Sequence, residues 1–445
     1  MQKKKVLIHS NHCKMFTGFG KHKKNLLSYL YKTGKYELFE LSNSLTWSSD
    51  STKLTPWKCV GSLPDDQELI REIQKDPKRS QMLAYGSETI DKAINEFKPD
   101  IYLGIEDIWG FNGYYDKPWW NKVNCIIHTT LDSVPILPDA VDAASKIKHY
   151  FVWASFAEKA LHDLGYKHVK TVRGSLDVDD FHKLPLDQTK KLRKLFNIED
   201  NFIIGFVFRN QLRKSVPNLL DGFKLFCDKL TKEQSDKCVL VMHTTPIDNN
   251  GTDLYAVRDK ICPNYDVVFS TNKIESDVLN KLYNVADCTI NIANNEGFGL
   301  GTAESIMAGT PIIVSVTGGL QDQCGFNYTA DDYINIKTLH NKQIHKDTPH
   351  GVWAKPIWPS AININGSPLT PYIYDDRVND EEVADAINEM YLLGKEKRKE
   401  NGQVGREWAI NNLSSKVMCD AMSEGIQKTI KNFTPRERFN LYKVI

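Results

Sequence analysis

Two glutamates, Glu296 and Glu304, flank a glycine-rich stretch of the sequence, NNEGFGLGTAES. Gly297 and Gly299 allow backbone amides to approach a ligand closely, because glycine has no Cβ. A carboxylate accepts two hydrogen bonds and can therefore hold two neighbouring hydroxyls. The ribose and the hexose of a nucleotide sugar each present such a pair, so the stretch predicts a nucleotide-sugar site. The competing interpretation is two solvated glutamates beside a helix cap.

A second group of chemically suited residues follows the apolar run NFIIGFVFR. Arg209 ends this run, and Lys214 precedes Ser215, which we expect to cap a helix that has Pro217 in its first turn. A guanidinium fork, an ammonium and a helix N-terminus together suit a diphosphate. We expect Arg213 to face solvent, although it is also an alternative to Lys214. The competing interpretation is a solvated loop with two surface cations.

A third candidate is the loop Gly18-Phe19-Gly20, which precedes a helix that we expect to open near Lys21. Backbone amides at a helix N-terminus favour phosphate. The motif is weak, because a dinucleotide-binding fingerprint would have a third glycine where this chain has Lys23. A plain tight turn is the alternative.

The elements that must position these residues follow an alternating pattern. Short apolar runs such as KVLIHS, IYLGIE, NCIIHTT, CVLVMHT and TPIIVSV alternate with longer helical patterns, which predicts parallel sheets covered by helices on both faces. The pattern breaks at LDVDDFHKLPLD and then resumes, so we predict an α/β protein with two Rossmann-like doubly wound domains facing a central cleft. The predicted divisions are an N-terminal acceptor domain (1–175), an interdomain linker (176–200) and a C-terminal donor domain (201–405) with an insertion near 320–375. C-terminal helices (406–445) are expected to pack toward the first domain. Within the last helical run we expect breaks near Gly394, Gly402 and Gly405.

The composition excludes several classes of protein. The formal net charge is +1, with 41% hydrophobic and 25% charged residues among 445, which is typical of a globular protein and gives no electrostatic argument for nucleic acid. None of the nine cysteines forms a CxxC pair, which argues against a zinc site or disulfide framework and predicts a cytoplasmic location. We expect no membrane span, because no segment approaches 18 apolar residues.

The motifs together resemble those of retaining glycosyltransferases of family 4. The stretch EGFGLGTAESIMAGTPIIVSVTGG resembles the E-x7-E signature region of that family, and FVFRNQLRKSVPNLLDGF resembles its diphosphate-binding stretch. VRGSLDVDDFHKLP is similar to its crossover between domains, and TGFGKHKKNLLSYL to its N-terminal glycine loop. The resemblance covers most of residues 1–320, and it is more specific in the second domain than in the first.

This resemblance implies a GT-B fold and transfer of a sugar, with retention, from a nucleotide-diphosphate sugar to a hydroxyl acceptor. It implies that Glu296 contacts the donor hexose and Glu304 the ribose, and that Glu296, Arg209, Lys214 and the cleft histidine His128 are catalytic. An acceptor contact is expected at Asp132. The expected donor-binding residues are Gly18, Phe19, Gly20, Arg209, Lys214, Ile274, Gly297, Phe298, Gly299, Leu300 and Glu304.

No metal ion or resident cofactor is expected, because the nucleotide-diphosphate sugar is a co-substrate and cationic side chains serve its diphosphate. Asp177-Val178-Asp179 has the DxD form of a metal site, but it falls in the crossover, where a linker is the preferred interpretation. His340, His345 and His350 occur five residues apart, which fits neither one helix face nor a known metal-ligand motif.

Other functions on the same fold stay open at this point. They are a nucleotide-sugar epimerase or phosphorylase, and a non-catalytic nucleotide-sugar-binding protein. The acceptor class also stays open among a glycan, a lipid, a protein and a modified base, and no feature of the sequence specifies an oligomeric state.

Overall fold

The structure is a computed structural model that describes residues 3–15, 17–326, 348–366 and 372–435. Within these residues the chain forms two parallel sheets, each covered by helices, whose carboxyl ends face a common cleft. A separate two-stranded hairpin lies beside the second sheet.

The first sheet has seven parallel strands in the order β3-β2-β1-β4-β5-β6-β7. Every residue of β5 is buried, as the apolar run NCIIHT predicts for a strand with helices on both faces. The strands are β1 (Lys4–Asn11), β2 (Tyr36–Thr46), β3 (Lys58–Leu63), β4 (Ile101–Ile105), β5 (Asn124–Thr129), β6 (His149–Val152) and β7 (Lys170–Thr171). The helices of this part and the crossover are α1 (Gly18–Thr33), α2 (Gln67–Ile73), α3 (Pro77–Leu83), α4 (Ile90–Phe97), α5 (Pro138–Lys146), α6 (Ser155–Asp163) and α7 (Leu186–Leu195).

The second sheet has six parallel strands in the order β10-β9-β8-β11-β12-β13. Strand order reverses beside β1 in the first sheet and beside β8 in the second, and such switch points open the crevices in which α/β proteins bind ligands. The strands are β8 (Phe202–Val207), β9 (Cys238–His243), β10 (Asp266–Ser270), β11 (Cys288–Asn291), β12 (Ile312–Ser315) and β13 (Ala354–Ile357). The helices are α8 (Val216–Asp228), α9 (Lys232–Ser235), α10 (Leu254–Ile261), α11 (Ser276–Val285), α12 (Leu300–Met307) and α13 (Leu320–Gln323).

The predicted insertion near 320–375 contains regular structure in the part that is described. Strand β13 pairs in parallel with β12, with Ile312 opposite Ala354, and so extends the second sheet. Strands β14 (Ala361–Asn365) and β15 (Ile373–Arg377) form the antiparallel hairpin. These short strands carry mixed polar and apolar residues and Pro356, which is why the sequence pattern did not reveal them. His340 and His345 lie outside the described residues.

Three helices end the described chain: α14 (Asp380–Leu392), α15 (Gly394–Leu413) and α16 (Ser415–Asn432). The expected break at Gly394 is present, with φ at 74°. The breaks expected at Gly402 and Gly405 are wrong, because both residues lie inside α15. A Cβ at Gly402 would lie 2.1 Å from the carbonyl oxygen of Gly309, so close packing against the second domain explains the glycine.

Helix α16 returns to the first domain. Its Met422 and Ile426 share a buried apolar cluster with Leu26 and Leu30 of α1. The hydroxyl of Tyr29 also donates to Asp420 Oδ1 at 2.7 Å. The last helix therefore packs against the first helix of the N-terminal domain.

Among the described helices, none combines the length and the apolar character needed to cross a bilayer.

Candidate active site

A cavity of about 480 Å³ lies in the cleft between the carboxyl ends of the two sheets. Both domains contribute to its walls. The lining residues are Gly18, Phe19, Asp107, Thr130, Asp132 and Trp153 from the first domain and Val207, Phe208, Arg209, Gln211, Arg213, Lys214, Glu296, Gly297, Phe298, Gly299, Leu300, Gly301 and Glu304 from the second. Most of the residues that the sequence singled out therefore meet in one place.

Glu296 lies in the loop between β11 and α12, and its backbone is fixed from two directions. Its N–H donates to Asp132 O of the first domain at 3.2 Å, and its carbonyl accepts from Gly319 N at 2.7 Å. Its carboxylate is hydrogen-bonded to Lys214 Nζ and lies 3.4 Å from Arg213 Nη1. Burial alone would raise the pKa of this carboxyl, but the two cations hold it down at about 2.

Lys214 is nearly fully buried at the end of a 3-10 turn, Leu212–Lys214, that follows β8. Its ammonium lies 4.6 Å from the ring centre of Phe208. Burial lowers the pKa of Lys214 to about 8 despite the adjacent carboxylate, so the ammonium remains charged at neutral pH. The next residue, Ser215, precedes α8, but the expected capping bond is absent because its hydroxyl donates to Asn294 Oδ1 at 2.6 Å instead.

The two arginines that follow β8 differ in exposure from what we expected. Arg213 turns inward, where it donates to Asn295 O at 2.8 Å and faces Glu296. The side chain of Arg209 is 60% exposed and makes two hydrogen bonds with Asp248, at 2.7 and 3.2 Å. The expectation that Arg213 faces solvent is therefore wrong, since the 3-10 turn rotates it toward the cavity. Arg209 still lines the cavity.

Glu304 lies within α12, on the side that faces the cavity. Tyr283 OH donates to its Oε2 at 2.8 Å, and Lys21 Nζ lies 3.9 Å from its Oε1. Burial raises the pKa of this carboxyl, against the opposing effect of Lys21. Gly299, just before α12, has φ at 88°, a conformation that a residue with a Cβ rarely adopts. The glycine loop thus sets the distance between the two glutamates.

Helix α1 begins at Gly18 rather than near Lys21. Thr17 is its N-cap and accepts from Gly20 N at 3.1 Å, so Gly18, Phe19 and Gly20 form the first helical turn instead of a preceding loop. Gly18 and Phe19 line the cavity, whereas Gly20 does not. Lys23, which replaces a third glycine, is buried and lies 2.8 Å from Glu40 Oε1.

The first-domain wall contains residues that the sequence analysis missed, among them Asp107, Thr130 and Trp153. Thr130 Oγ1 donates to Asp107 Oδ1 at 2.5 Å. Burial, with a further contribution from Asp132, raises the pKa of Asp107 to about 7. Burial likewise raises the pKa of Asp132. The signal was available, because Glu106-Asp107 directly follows the apolar strand IYLGI.

His128 does not line the cavity. Its side chain is fully buried, with Nε2 2.7 Å from Val172 O and Nδ1 3.3 Å from His22 Nε2. Since the carbonyl can only accept, Nε2 carries the proton. Burial lowers the pKa of His128 to about 4, so the ring is neutral. The indole of Trp153, whose centre is 5.6 Å from that of His128, stands at the cavity. The structure therefore does not place this histidine beside a donor carbon.

Ile274 is half-buried in the segment before α11 and is also outside the cavity lining. Asp177 and Asp179 lie in the crossover, where Asp179 N donates to Asp177 Oδ1 at 3.0 Å in a local turn. His350 Nδ1 lies 3.0 Å from Gly351 O.

One buried trio outside the cleft has the atom types of a metal site. Ligand atoms of His12, Cys13 and Glu40 lie within 4.8 Å of one another. Glu40 is already engaged, because its Oε1 accepts from Cys13 N at 2.9 Å and pairs with Lys23. Burial, reinforced by Glu40, raises the pKa of Cys13 to about 12, so the thiol stays protonated. This set fits a structural ion pair better than a metal site.

Comparison with known proteins agrees with this geometry. Residues 187–339 match the family model described as Glycosyl transferases group 1. No match to the sequence was found among curated proteins.

Several solved structures are similar over nearly the whole chain. HepE of Anabaena in complex with UDP and glucose has a TM-score of 0.65 at 12% identity, covering 96% of this chain and 100% of that chain. Sucrose-phosphate synthase from Thermosynechococcus elongatus has a TM-score of 0.65 at 13% identity, covering 97% and 100%. An α,α-trehalose-phosphate synthase (UDP-forming) from Burkholderia vietnamiensis has a TM-score of 0.66 at 10% identity, covering 96% and 99%.

These similarities confirm the predicted GT-B fold, with two Rossmann-like domains that face a cleft. The matched segment contains both glutamates and both arginines of the cavity. The chain thus combines a GT-B fold with a segment that matches the group 1 glycosyl transferase model, and together these findings support a glycosyltransferase.

Proposed function

We propose that the protein transfers a sugar, with retention of its anomeric configuration, from a nucleoside-diphosphate sugar to a hydroxyl acceptor in the cleft. The observation that carries this proposal is the arrangement of one cavity, in which Glu296 is held between two cations and Glu304 lies one helical turn beyond a glycine loop. HepE of Anabaena, which shares the fold, has been crystallised with UDP and glucose.

The cavity offers cations for the diphosphate of the donor and carboxylates for its sugar hydroxyls. Arg209, Arg213 and Lys214 offer positive charge to a diphosphate, and the amides of the Gly297–Gly299 loop add dipoles. Glu304 accepts from the ribose hydroxyls, because it is buried and aimed at the cavity from α12. Glu296 accepts from the hexose hydroxyls, which places the sugar between the two domains.

The reaction follows from that placement. The bond between the anomeric carbon and the diphosphate oxygen breaks, and the acceptor oxygen bonds to the same face of that carbon. The acceptor proton passes to the departing phosphate oxygen. Lys214, Arg209 and Arg213 stabilise the charge that develops on the leaving group, in positions set before the reaction begins. These side chains supply positive charge without a divalent metal.

The first-domain wall serves the acceptor and the exclusion of water. Asp107 and Asp132 face the cavity opposite Glu296, where either carboxyl can orient an acceptor hydroxyl. Contacts between the domains, such as Glu296 N to Asp132 O, close the cleft around the donor. Closure favours transfer over hydrolysis of the donor.

The test begins with a thermal-shift screen of nucleoside-diphosphate sugars, because a ligand that binds the native state raises its Tm. Glu296→Gln and Glu304→Gln are then compared by calorimetry with the bare nucleoside diphosphate. We expect Glu304→Gln to weaken nucleotide binding by about 1–3 kcal/mol, as expected for hydrogen bonds to a charged group. Glu296→Gln should leave nucleotide affinity nearly intact while turnover falls strongly.

The anomeric configuration of the product, read by proton NMR, tests retention directly. An inverted product would refute the retaining mechanism but not transfer itself. If both glutamate variants keep wild-type turnover, the assignment of the cavity is wrong. If a sugar nucleotide binds but no product ever forms, a non-catalytic binding protein replaces this proposal.

A further inference from the structure

The hairpin β14–β15 presents two chemically different faces to two different cavities. Its strands are paired so that Asn365 lies opposite Ile373 and Asn363 opposite Asp375. Since side chains alternate between the faces of a strand, the residues divide into two sets. Asn365, Ile373, Asp375 and Arg377 line one cavity, whereas Ile362, Tyr374 and Asp376 line the other.

The cavity on the first face, which we call the side cavity, has a volume of about 480 Å³. It adjoins the donor cavity, because Gln211 and Arg213 line both. Nine of its thirteen lining residues are polar or charged, among them Asn218, Asn295 and Arg377. Planar polar groups of this kind recognise hydroxyls in pairs.

The polar wall is held in place from behind. Asp375 is only 3% exposed and accepts from Asn295 Nδ2 at 2.6 Å and from the amide of Asn365. The hairpin is fixed to the strand end beside Glu296, since Asp376 N donates to Asn294 O at 2.7 Å. Asn295 Oδ1 is buried and has no hydrogen-bond partner among the described residues. A rigid wall with an unused acceptor suits a ligand rich in hydroxyl donors.

Each of the two arginines of the side cavity lies near a carboxylate. Arg213 faces Glu296 at 3.4 Å, and Arg377 lies 4.0 Å from Asp375. Both arginines are therefore paired, although Glu296 itself belongs to the donor cavity, and three of the lining residues, Leu212, Pro217 and Ile373, have apolar side chains.

The cavity on the opposite face of the hairpin has a different chemical character. It measures about 520 Å³ and is mainly apolar, with Val134, Phe156 and Tyr374 among its walls. It shares no lining residue with the donor cavity, whereas the side cavity shares Gln211 and Arg213 with it. An acceptor that reaches the donor therefore extends into the side cavity instead.

We propose that the side cavity is an acceptor subsite, and that the acceptor is an uncharged oligosaccharide whose reacting sugar lies near Asp107 and Asp132 while its next sugar lies against the hairpin. This inference rests on the proposed function, because it assumes transfer from a donor in the neighbouring cavity. The hairpin would then select acceptor length and type.

The test compares acceptors of increasing length on one donor, the nucleotide sugar that the thermal-shift screen selects. Glucose, galactose and mannose are assayed beside their disaccharides and trisaccharides, and donor hydrolysis is followed in each sample. We expect the disaccharides of one series to react with a KM at least about tenfold below that of the monosaccharide, the effect of one well-placed charge-assisted hydrogen bond.

Two variants locate the effect. Arg377→Ala and Asn365→Ala should each remove this advantage, so that the disaccharide reacts about as poorly as the monosaccharide. The matched control is Ile364→Ala, which lies on the same strand but on its other face and outside the lining of both cavities. It should keep the wild-type preference for length.

The outcomes separate the two proposals. Donor hydrolysis without transfer to any of these saccharides would overturn the subsite while leaving the donor site intact. Variants that lower mono- and disaccharide transfer equally would also overturn the subsite. Failure of every nucleotide sugar to bind would refute the proposed function itself.

Discussion

Replacing Lys214 with Met removes the ammonium that neutralises Glu296 while nearly preserving side-chain volume. Lys214 and Glu296 are both buried, and their charges face each other across the loop between β11 and α12. After the substitution, Glu296 keeps only Arg213, at 3.4 Å, as a cationic neighbour. The carboxylate is then poorly compensated in a buried place.

The size of the effect follows from the pKa of Glu296, which the two cations hold at about 2 against an ordinary value of 4.5. Each pKa unit corresponds to about 1.4 kcal/mol, so the protein favours the carboxylate by about 3 kcal/mol. Breaking a buried ion pair by removal of one partner typically costs about 3–5 kcal/mol. Because Arg213 remains, we expect Lys214→Met to lower the free energy of unfolding by about 2–3 kcal/mol.

The assay is denaturant unfolding followed by tryptophan fluorescence, combined with calorimetry of nucleoside-diphosphate binding. In the double variant Lys214→Met/Glu296→Gln the uncompensated charge is gone, so stability should largely return. Nucleotide affinity should not return, because the cation that would hold the diphosphate is still missing. Lys183→Met is a matched control, since the ammonium of Lys183 donates to Gly309 O at 3.0 Å and has no carboxylate partner among the described residues. Its effect should simply add to that of Glu296→Gln.

Additivity would refute the reasoning. If the stability changes of Lys214→Met and Glu296→Gln sum to that of the double variant within about 0.5 kcal/mol, the two charges are not coupled. If the double variant regains nucleotide affinity together with stability, Lys214 supports the fold and does not hold the diphosphate.

The remaining predictions concern pH, packing and metal. The pKa values of Asp107 and Glu106 are raised to about 7 and about 8, chiefly by burial, so the native state binds more protons than the unfolded chain in this range. The free energy of unfolding should fall as pH rises through these values, by at most about 1.4 kcal/mol per pH unit for each group. Asp107→Asn should reduce this dependence of stability on pH, and an unchanged dependence would contradict this account. Gly402→Ala should destabilise by about 1–3 kcal/mol, although alanine favours helices, because its Cβ would lie 2.1 Å from Gly309 O. The exposed neighbour Gln403→Ala is its control, and equal Tm values for the two variants would argue against the packing explanation. Transfer should survive excess EDTA, because cationic side chains face the diphosphate; activity lost on chelation and restored by manganese would reverse that conclusion.

The general position of the site could be predicted from the sequence, because parallel strands deliver their carboxyl ends to one edge. This rule brought Glu296, Lys214 and the Gly18 turn to the same cleft from three distant stretches. Applied to IYLGI, it would also have found Asp107. The fold could be predicted for the same reason, since the alternation of buried strands and helices is local in the sequence.

Other features depend on contacts that spacing does not encode. Whether Arg209 or Arg213 turns inward depends on a single 3-10 turn and on the partner Asp248, 39 residues further along the chain. His128 lies near the end of a strand as expected, but its neighbour Trp153 lines the cavity and His128 does not. Gly402 and Gly405 looked like helix breaks because their close neighbours, Gly309 and Trp353, come from other elements.

The two covalent connections between the domains run side by side. Leu176 in the outgoing crossover donates to Leu413 O at 2.9 Å, and Ser415 at the start of α16 donates back to Leu176 O at 2.7 Å. Both connections are therefore held together by backbone hydrogen bonds at one edge of the cleft. Among the described residues the other interdomain contacts are non-covalent, so we expect the domains to separate by rotation about this edge. The hydrogen bond from Glu296 N to Asp132 O joins the two domains, so it must break when they separate. Exposure of the Glu296 amide to solvent therefore reports the opening of the cleft.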